Sequence, residues 1–423
     1  MKIILVSIHV EKSPAAFPLA ACILKETLKN NTQTSAADIS ISEYFLPLDD
    51  KKIAEELIDR QPDIIGFSTY LWNADTIIKI SNEIKSKNKA IKLIIGGPQA
   101  TAAPESFEQT KLFDTIMIGE GEPLIADAVL GKINGISERK QHTDFEISAS
   151  PYSTILKKDR TEGILWEISR GCPYRCAFCY ESRGFKTIRT INSKRIETEL
   201  KLFRKNKIKK IWVLDPTFNH NGRHAEEVLT KIINIYPEAH YTFEIRAELM
   251  NKKLCSMFSE INCSLQIGLQ STNIRALKNI NRSLNEDKFI NRCKTMSEYG
   301  LCFGIDLIYG LPGDNYETFK SSVDFALSTA PNNVDIFPLS VLPATDLFEN
   351  AVNLEIIHNG FPKYTTIKTK TFSESDMKKA EKLTEAVDIL YNQEQSFSWF
   401  NTFSKILETS PSLIFESFNR FNK

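Results

Sequence analysis

The stretch ILWEISRGCPYRCAFC (164–179) carries the most specific pattern in this 423-residue chain. Its first half, ILWEISRG, is predicted to be a strand, and Cys172, Cys176 and Cys179 follow in a loop with the spacing C-x3-C-x2-C. The chain holds eight cysteines, too few for a disulfide scaffold at this length. Three of them in one short loop therefore indicate a metal site. The cysteines scattered over the following region are interpreted as buried small apolar residues: Cys255, Cys263, Cys293 and Cys302.

The kind of metal site is narrowed by the number of ligands. A four-iron cluster normally takes four cysteines, so a cluster held by three leaves one iron open to a small molecule. Structural zinc is the competing interpretation, but it also takes four ligands, and no fourth Cys or His lies nearby in the sequence. Three unrelated buried cysteines would require the spacing to be accidental. The spacing and the strand–loop context favour the iron–sulfur cluster.

Strands and helices alternate on the C-terminal side of the cysteines. Predicted strands lie at 208–215, 241–247, 263–270, 301–311 and 333–342. With 164–171 they make about six strand–helix units, which fit a partial or full β/α barrel whose functional residues lie at the carboxyl ends of the strands. We predict a partial (β/α)6 barrel at 161–350 and a small helical region at 351–423.

The first part of the chain alternates in the same way. KIILVSI (2–8) is a run without polar alternation, as expected for a strand covered on both faces. Further predicted strands lie at 63–70, 91–97 and 114–122. We predict an α/β, Rossmann-like, doubly wound sheet at 1–130, with ligands beyond the carboxyl ends of its strands. The polar, aperiodic residues 131–160 predict a linker.

Composition limits the possible partners. The chain has 53 Lys and Arg and 53 Asp and Glu, so its formal net charge is zero and gives no reason to expect nucleic-acid or anionic-membrane binding. No apolar run approaches the roughly 18 residues of a membrane span. The start, MKIILVSIHV, has an apolar core of about six residues, which favours a buried strand over a signal peptide. We expect a soluble, cytoplasmic protein.

The cysteine loop resembles that of the radical S-adenosylmethionine (SAM) superfamily. The resemblance implies a [4Fe–4S] cluster on Cys172, Cys176 and Cys179, whose open iron binds the amino and carboxylate groups of SAM. It also implies that an electron from the cluster cleaves SAM to give a 5′-deoxyadenosyl radical. Phe178 matches the superfamily's aromatic position beside the adenine.

Three barrel segments resemble the SAM-binding segments of related enzymes: FEIRAEL (243–249), GLQSTNIRALKNINR (268–282) and IDLIYGLPGD (305–314). The SAM contacts implied by the resemblance are Phe178, Glu244, Arg246, Gln270, Ser271, Arg282 and Asp306. Among them, Gln270 and Asp306 would meet the ribose and Arg282 the carboxylate. LDPTFN (214–219) stands where the family usually has a Gly-rich stretch.

Four segments of the first domain, each at a predicted strand end, together resemble the cobalamin-binding domain that precedes the barrel in many radical SAM enzymes. They are SPAAFPLAACIL (13–24), GFSTYLWN (66–73), IIGGPQAT (94–101) and IGEGEP (118–123). Small residues there let the backbone approach a large flat cofactor. The implied cobalamin contacts are Ser68, Thr69, Tyr70, Trp72, Asn73, Gly96, Gly97, Pro98, Gln99, Gly119, Glu120, Gly121 and Glu122.

One motif of the wider cobalamin-binding fold is missing. The sequence has no D-x-H-x-x-G, which supplies a histidine to cobalt, and His9 near the first strand end is interpreted as incidental. The resemblance is therefore to the branch in which cobalamin binds without such a histidine. The alternative is a retained fold that no longer holds the cofactor.

Together these resemblances imply a cobalamin-dependent radical SAM enzyme similar to the class B methyltransferases. It would transfer a methyl group from methylcobalamin to an unactivated carbon of a small-molecule or peptide substrate, with an external flavodoxin- or ferredoxin-like electron donor. Two alternatives stay open. One is a cobalamin-dependent radical SAM enzyme that catalyses a non-methylating rearrangement or cyclisation, and the other is a non-catalytic cofactor-binding protein.

Overall fold

The computed structural model describes residues 1–138, 143–145, 148, 150–152, 156, 162–181 and 187–421. The chain divides into two compact units. The first comprises Met1–Leu165 and Thr190–Ile208, and the second comprises Trp166–Arg189 and Lys209–Lys423. The predicted α/β fold, with a parallel N-terminal sheet, a barrel domain and a helical C-terminal region, is confirmed. The domain bounds 1–130, 131–160, 161–350 and 351–423 stay a prediction.

The first unit is built on a parallel sheet. Its strands are β1 (Lys2–His9), β2 (Asp38–Phe45), β3 (Ile64–Ser68), β4 (Lys92–Gly96), β5 (Thr115–Ile118) and β6 (Gly135–Glu138). Its helices are α1 (Leu19–Asn30), α2 (Asp50–Asp59), α3 (Ala74–Lys87), α4 (Pro98–Ala102), α5 (Pro104–Glu108), α6 (Glu122–Val129) and α7 (Ser193–Lys205). In the described residues the six strands follow the order β2-β1-β3-β4-β5-β6. All residues of β1 between its two ends are buried, as a central parallel strand requires.

Three elements of the first unit were not predicted from the sequence: β2, α2 and β6. Both strands end the order of the sheet, so each pairs on one side only. Buried positions are interrupted by more exposed ones along β2, and half-buried and exposed positions alternate along β6. Their sequences, DISISEYF and GISE, lack the continuous apolar run of a central parallel strand. Edge strands of this kind resemble polar loops when only the sequence is considered.

Part of the predicted linker at 131–160 belongs to the first unit. β6 lies inside it and pairs with β5. Tyr152 is buried, with its ring centroid 6.0 Å from that of Phe17 and 4.9 Å from that of Phe203. Its hydroxyl donates to the Leu165 carbonyl (2.8 Å). These contacts were not predicted, because the few apolar residues of the segment are spaced too far apart to show a period.

The second sheet follows the chain order. Its strands are β7 (Gly163–Trp166), β8 (Lys210–Val213), β9 (His240–Ile245), β10 (Cys263–Gln270), β11 (Cys302–Tyr309) and β12 (Asn333–Pro338). In the described residues these six strands are neighbours in that sequence, and the pairs from β8 to β12 are parallel. The intervening helices are α8 (Gly222–Ile235), α9 (Lys252–Phe258), α10 (Ile274–Asn279), α11 (Glu286–Glu298) and α12 (Tyr316–Ser328). This is the predicted partial barrel.

The C-terminal region packs against the last barrel elements. It contains α13 (Asp346–Glu349), α14 (Glu374–Val387), α15 (Phe400–Ile406), α16 (Pro411–Phe421) and short strands at Ile357–His358 and Thr366–Lys368. Asn392 bonds both the N–H (2.9 Å) and the carbonyl (3.0 Å) of Val334 in β12, and so covers backbone groups at the edge of the sheet. None of the described helices combines the length and apolar character needed to span a membrane.

Candidate functional site

The cysteine loop is fixed by backbone hydrogen bonds on both sides. Ala177 donates from its N–H to the Ile280 carbonyl (3.0 Å), and its own carbonyl accepts from the Leu347 N–H (2.9 Å). The Cys179 N–H donates to the Cys176 carbonyl (3.0 Å), which closes a turn between these cysteines. The protein therefore holds the loop in place through its own backbone.

The three thiols form a donor set that fits an iron–sulfur cluster. Burial raises the pKa of the Cys172 thiol and raises that of Cys179 to about 11, and repulsion from neighbouring sulfurs adds to both shifts. They lose protons when they become ligands. Among the described residues, no group of three or more His, Cys, Asp or Glu side chains is placed to hold a single metal ion. The assignment of Cys172, Cys176 and Cys179 to a cluster therefore stays a prediction from their spacing and donor chemistry.

Gln270, Arg282 and Cys176 come together at the carboxyl end of β10. Gln270 has a φ of 73°, and a register shift between Gly268 and Gln270 interrupts the pairing with β11. Arg282 donates from Nη2 to the Gly268 carbonyl (2.5 Å), and its Nη1 lies 3.9 Å from the Cys176 sulfur. Two residues predicted to contact SAM thus converge beside one predicted cluster cysteine.

Asp306 lies on the neighbouring strand, β11, and is electrostatically coupled to this group. Burial raises the pKa of Asp306 to about 7, the charges of Asp335 and Glu244 add to the rise, and Gln266 and Arg282 oppose it. The pKa of Glu244 is also raised, mainly by desolvation, although part of its side chain reaches solvent. A carboxyl group with a pKa of about 7, such as Asp306, can accept or release a proton near neutral pH.

Arg246 supports the cysteine loop. Tyr174 lies between the first two cysteines in the sequence, and the guanidinium carbon of Arg246 lies 3.8 Å from the centroid of its ring. The Arg246 Nε donates to Glu248 (2.6 Å). Asn219 of the LDPTFN segment accepts from the Arg246 N–H (3.0 Å) and donates to its carbonyl (2.9 Å). These contacts engage the side chain that was predicted to bind SAM, and favour a role in positioning the loop.

The surroundings of Ser271 and Phe178 differ from those of Arg282 and Asp306. Ser271 is fully buried; its hydroxyl donates to Asp314 (3.1 Å) and accepts from the Asn273 N–H (3.0 Å). Its polar atoms thus fix the segment that follows Gln270. Phe178 is half-buried against an apolar cluster that includes Ile280. Their contacts with SAM stay predictions.

Asp215 is a buried residue whose role was not predicted from the sequence. Its Oδ1 accepts from the N–H groups of Ile168 (3.2 Å) and Ser169 (2.9 Å), where β7 leads into the cysteine loop. Burial raises the pKa of Asp215 to about 7. Thr217 of the same segment places its Oγ1 3.9 Å from the Cys172 sulfur. The departure of LDPTFN from a Gly-rich sequence was the signal that could have indicated this role. Its polar side chains contact the residues that lead into the cysteine loop and the loop itself.

The carboxyl ends of β3 and β4 are joined by Thr69, which is fully buried. Its N–H and its hydroxyl both donate to the Gly96 carbonyl (2.8 Å each), and the hydroxyl oxygen accepts from the Ala100 N–H (3.0 Å). Gly97 has a φ of 106°, and a Cβ there would lie 2.7 Å from the Thr69 carbonyl oxygen. Only glycine fits this turn, because a side chain would collide with the Thr69 backbone at the carboxyl end of β3. Pro98 is exposed and Gln99 is buried.

An aromatic pair stands at the same edge. Trp72 is 46% exposed, stacks on Tyr70 with centroids 4.5 Å apart, and donates from Nε1 to the Ile8 carbonyl (2.9 Å). Asn73 is fully buried and donates to the carbonyls of Ile8 (3.2 Å) and Ser68 (3.1 Å), while its Oδ1 accepts from the Tyr70 N–H (2.8 Å). Asn73 therefore shapes the loop, and the exposed ring is the surface available to a flat ligand.

The segment after β5 holds the other predicted cobalamin contacts. Gly119 has a φ of 81°, and its N–H donates to Thr101 Oγ1 (3.0 Å). Glu120 accepts from the Thr143 N–H (2.8 Å). Gly121 precedes α6, and Glu122 lies in the first turn of that helix. The contacts with cobalamin stay predictions.

His9 and the scattered cysteines have structural surroundings. His9 lies 3.5 Å from the Glu43 carboxylate and stacks on Phe45 with centroids 5.5 Å apart. Cys255, Cys263 and Cys293 are buried as predicted, but the prediction was wrong for Cys302, which is exposed. Cys302 is the first residue of β11 and faces solvent at the opposite end of the strand from the predicted SAM contacts.

Comparisons with known proteins match both the N-terminal domain and the barrel. Residues 166–326 match the model of the radical SAM superfamily, and residues 14–129 match that of the B12 binding domain. An uncharacterized methyltransferase of Pyrococcus horikoshii is 27% identical over 364 residues, 77% of this chain and 78% of that protein. The cobalamin-dependent radical SAM methyltransferase TokK of Streptomyces tokunonensis is 22% identical over 78% of this chain, which spans only 54% of TokK.

A solved structure supports the fold. The radical SAM methyltransferase TsrM from Kitasatospora setae, with cobalamin and a [4Fe–4S] cluster bound, matches with a TM-score of 0.68 at 16% identity, covering 85% of this chain and 79% of that chain. The two matched domains confirm the predicted cofactors, namely SAM, a [4Fe–4S] cluster and cobalamin. Residues 166–326 are therefore a radical SAM domain and residues 14–129 a B12-binding domain, and the chain is a radical SAM enzyme.

Proposed function

We propose that this enzyme transfers a methyl group to an unactivated carbon of a small-molecule or peptide substrate. The observation that carries the proposal is the presence, in one chain, of a three-cysteine loop beside Arg282 and a glycine-lined sheet edge at Gly97. The two relatives named above as methyltransferases align with most of this chain, and this similarity supports the same activity here. The bound cofactors supply the radical and the methyl group, and the protein supplies their positions.

The residues of the barrel have distinct roles in the proposal. Cys172, Cys176 and Cys179 hold the cluster, while Arg282 presents a guanidinium that pairs with the carboxylate of SAM. Asp306 accepts from a ribose hydroxyl, and Gln270, at the carboxyl end of the neighbouring strand β10, meets the same ribose. Glu244 faces the same end of the barrel.

The proposal also covers the cobalamin site at the sheet edge, the location of the enzyme and its electron donor. The bare backbone around Gly97 and the exposed ring of Trp72 contact cobalamin, with Thr69 and Asn73 holding both in shape. We also propose that the enzyme works in the cytoplasm and receives electrons from a flavodoxin- or ferredoxin-like donor.

Anaerobic reconstitution tests the proposal. We expect about four irons and about one cobalt per chain, and production of both 5′-deoxyadenosine and S-adenosylhomocysteine from SAM, measured by mass spectrometry. S-adenosylhomocysteine reports the methyl transfer that a rearrangement would not need. Iron without cobalt, or 5′-deoxyadenosine without S-adenosylhomocysteine, would contradict the methyltransferase proposal.

Removing one cluster ligand gives the largest expected effect. Cys176→Ala should lose the iron and abolish 5′-deoxyadenosine production, because a cluster with two remaining thiolates in the loop is not retained. Cys302→Ala is the matched control, since Cys302 is exposed and lies outside the site. Unchanged 5′-deoxyadenosine from Cys176→Ala would exclude the cluster assignment.

A further inference from the structure

A polar row lies beneath Asp306 inside the barrel, outside the predicted SAM contacts. Gln266, Gly304 and Asn333 are register neighbours on β10, β11 and β12, and Asp306 and Asp335 are neighbours two residues further along. Residues two apart on a strand point to the same face of the sheet. The side chains of this row and of the two carboxylates therefore share one face.

Gly304 leaves the space that two amide side chains fill. A Cβ at this position would lie 2.6 Å from Gln266 Oε1 and still closer to Asn333 Oδ1. Gln266 Nε2 donates both to Asp306 Oδ1 and to Asp335 Oδ2 (2.9 Å). Asn333 Nδ2 donates to the same Asp335 oxygen (2.6 Å). An amide nitrogen has two N–H groups, so the donors of Gln266 are both used.

Asp306 is thereby fixed through one oxygen. Among the described residues, Oδ1 accepts the bond from Gln266 and no hydrogen bond reaches Oδ2. The Asp335 carboxylate is held by two amides, both of which donate to its Oδ2. A carboxylate held at one oxygen presents the other in a defined direction, which reduces the ordering cost when a ligand binds.

We propose that Gln266 and Asp335 are positioning residues of the SAM site, which orient Asp306 with one oxygen open to the ligand. This inference rests on the proposed function, in which Asp306 accepts from a ribose hydroxyl. The charge of Asp335 raises the pKa of Asp306 further than burial alone, as does that of Glu244, whereas Arg282 lowers it. SAM binding is therefore expected to strengthen as pH rises and Asp306 ionises, because a carboxylate accepts the stronger hydrogen bond.

Two variants separate the effect of the Asp335 charge from the effect of the hydrogen bond by which Gln266 holds Asp306. Asp335→Asn keeps the shape and removes the charge, so the pKa of Asp306 falls and the midpoint of SAM affinity against pH moves down by about one pH unit. Gln266→Leu removes the support, and SAM binding weakens by about tenfold at the pH of strongest binding. Binding is measured on the reconstituted holoenzyme by titrating SAM and following the electron paramagnetic resonance of the cluster. Asp287→Asn, an exposed carboxylate of α11, is the matched control.

The Asp306→Ala variant distinguishes failure of this inference from failure of the proposed function. If it binds SAM as tightly as the wild type, the ribose contact is wrong. If it binds SAM weakly while Gln266→Leu and Asp335→Asn match the wild type in affinity and midpoint, the positioning role is overturned. Iron content and thermal unfolding show whether each variant is intact, and the nearly isosteric Asp335→Asn carries the test if Gln266→Leu does not fold.

Discussion

At the end of the barrel, charged side chains meet at the predicted ligand site, whereas at the edge of the N-terminal sheet polar side chains bond to the backbone. Arg282 reaches from the Gly268 carbonyl towards Cys176, and its contacts can be lost by truncation. Thr69 and Asn73 instead use their polar atoms to hold neighbouring turns together. Gly97 lets the Thr69 backbone pack closely against its turn because it has no side chain.

This difference determines which substitutions are informative. At the barrel, shortening a side chain removes an interaction that a ligand would use. At the sheet edge, adding a side chain at Gly97 displaces the Thr69 backbone that shapes the predicted ligand surface. The two sites should also fail separately, since one is expected to hold iron and SAM and the other cobalt.

Gly97→Ala should give the largest effect at the sheet edge. The new Cβ would lie 2.7 Å from the Thr69 carbonyl oxygen, and alanine at this positive φ costs roughly 1–3 kcal/mol. Cobalt per chain should fall close to background while iron stays near the wild-type value, both measured by elemental analysis. Gly135→Ala is the control, because Gly135 has a φ of 65° and no atom within 4 Å of its added Cβ. Equal cobalt loss in both variants would mean that a side chain at a positive φ, rather than the collision with Thr69, lowers the cobalt content.

Arg282→Leu should come next, with SAM affinity as the measured quantity. A buried charge-assisted hydrogen bond contributes about 1.5–3 kcal/mol, so SAM binding should weaken by about tenfold to a hundredfold. Iron and cobalt contents should stay near the wild-type values. Arg275→Leu is the matched control, an exposed arginine in the same segment. If Arg282→Leu keeps the wild-type SAM affinity, the barrel end does not bind its ligand through this charged side chain, and the comparison with the sheet edge fails there.

The sequence predicted the barrel end in more detail than the sheet edge. β10 matched its predicted bounds, and the cysteine spacing is local, so both could be found without the fold. The contact of Arg246 with Tyr174 could not be predicted, because the two residues lie far apart in the chain and meet only when β9 and the cysteine loop are in place. Gln266 and Asp335 were missed for the same reason, since their pairing depends on strand register.

Arg246→Leu should have a moderate effect and decides between two roles of this residue. Losing the cation–π contact with Tyr174 removes about 0.5–2 kcal/mol from the loop, so iron per chain should fall only partly. Tyr174→Phe keeps the ring and is expected to retain wild-type iron. If Arg246→Leu instead keeps its iron and loses SAM binding, Arg246 is a SAM contact, as predicted from the sequence.

Trp72→Phe should have the smallest effect and sharpens the account of the sheet edge. The substitution removes the indole N–H but keeps an aromatic ring, and the Ile8 carbonyl still accepts from Asn73. We expect a loss of about 1 kcal/mol in the free energy of unfolding, with unchanged cobalt content. Trp72→Ala, which removes the ring, should lower the cobalt content. If Trp72→Phe loses as much cobalt as Trp72→Ala, the sheet edge also depends on a polar side-chain group, and the contrast with the barrel weakens.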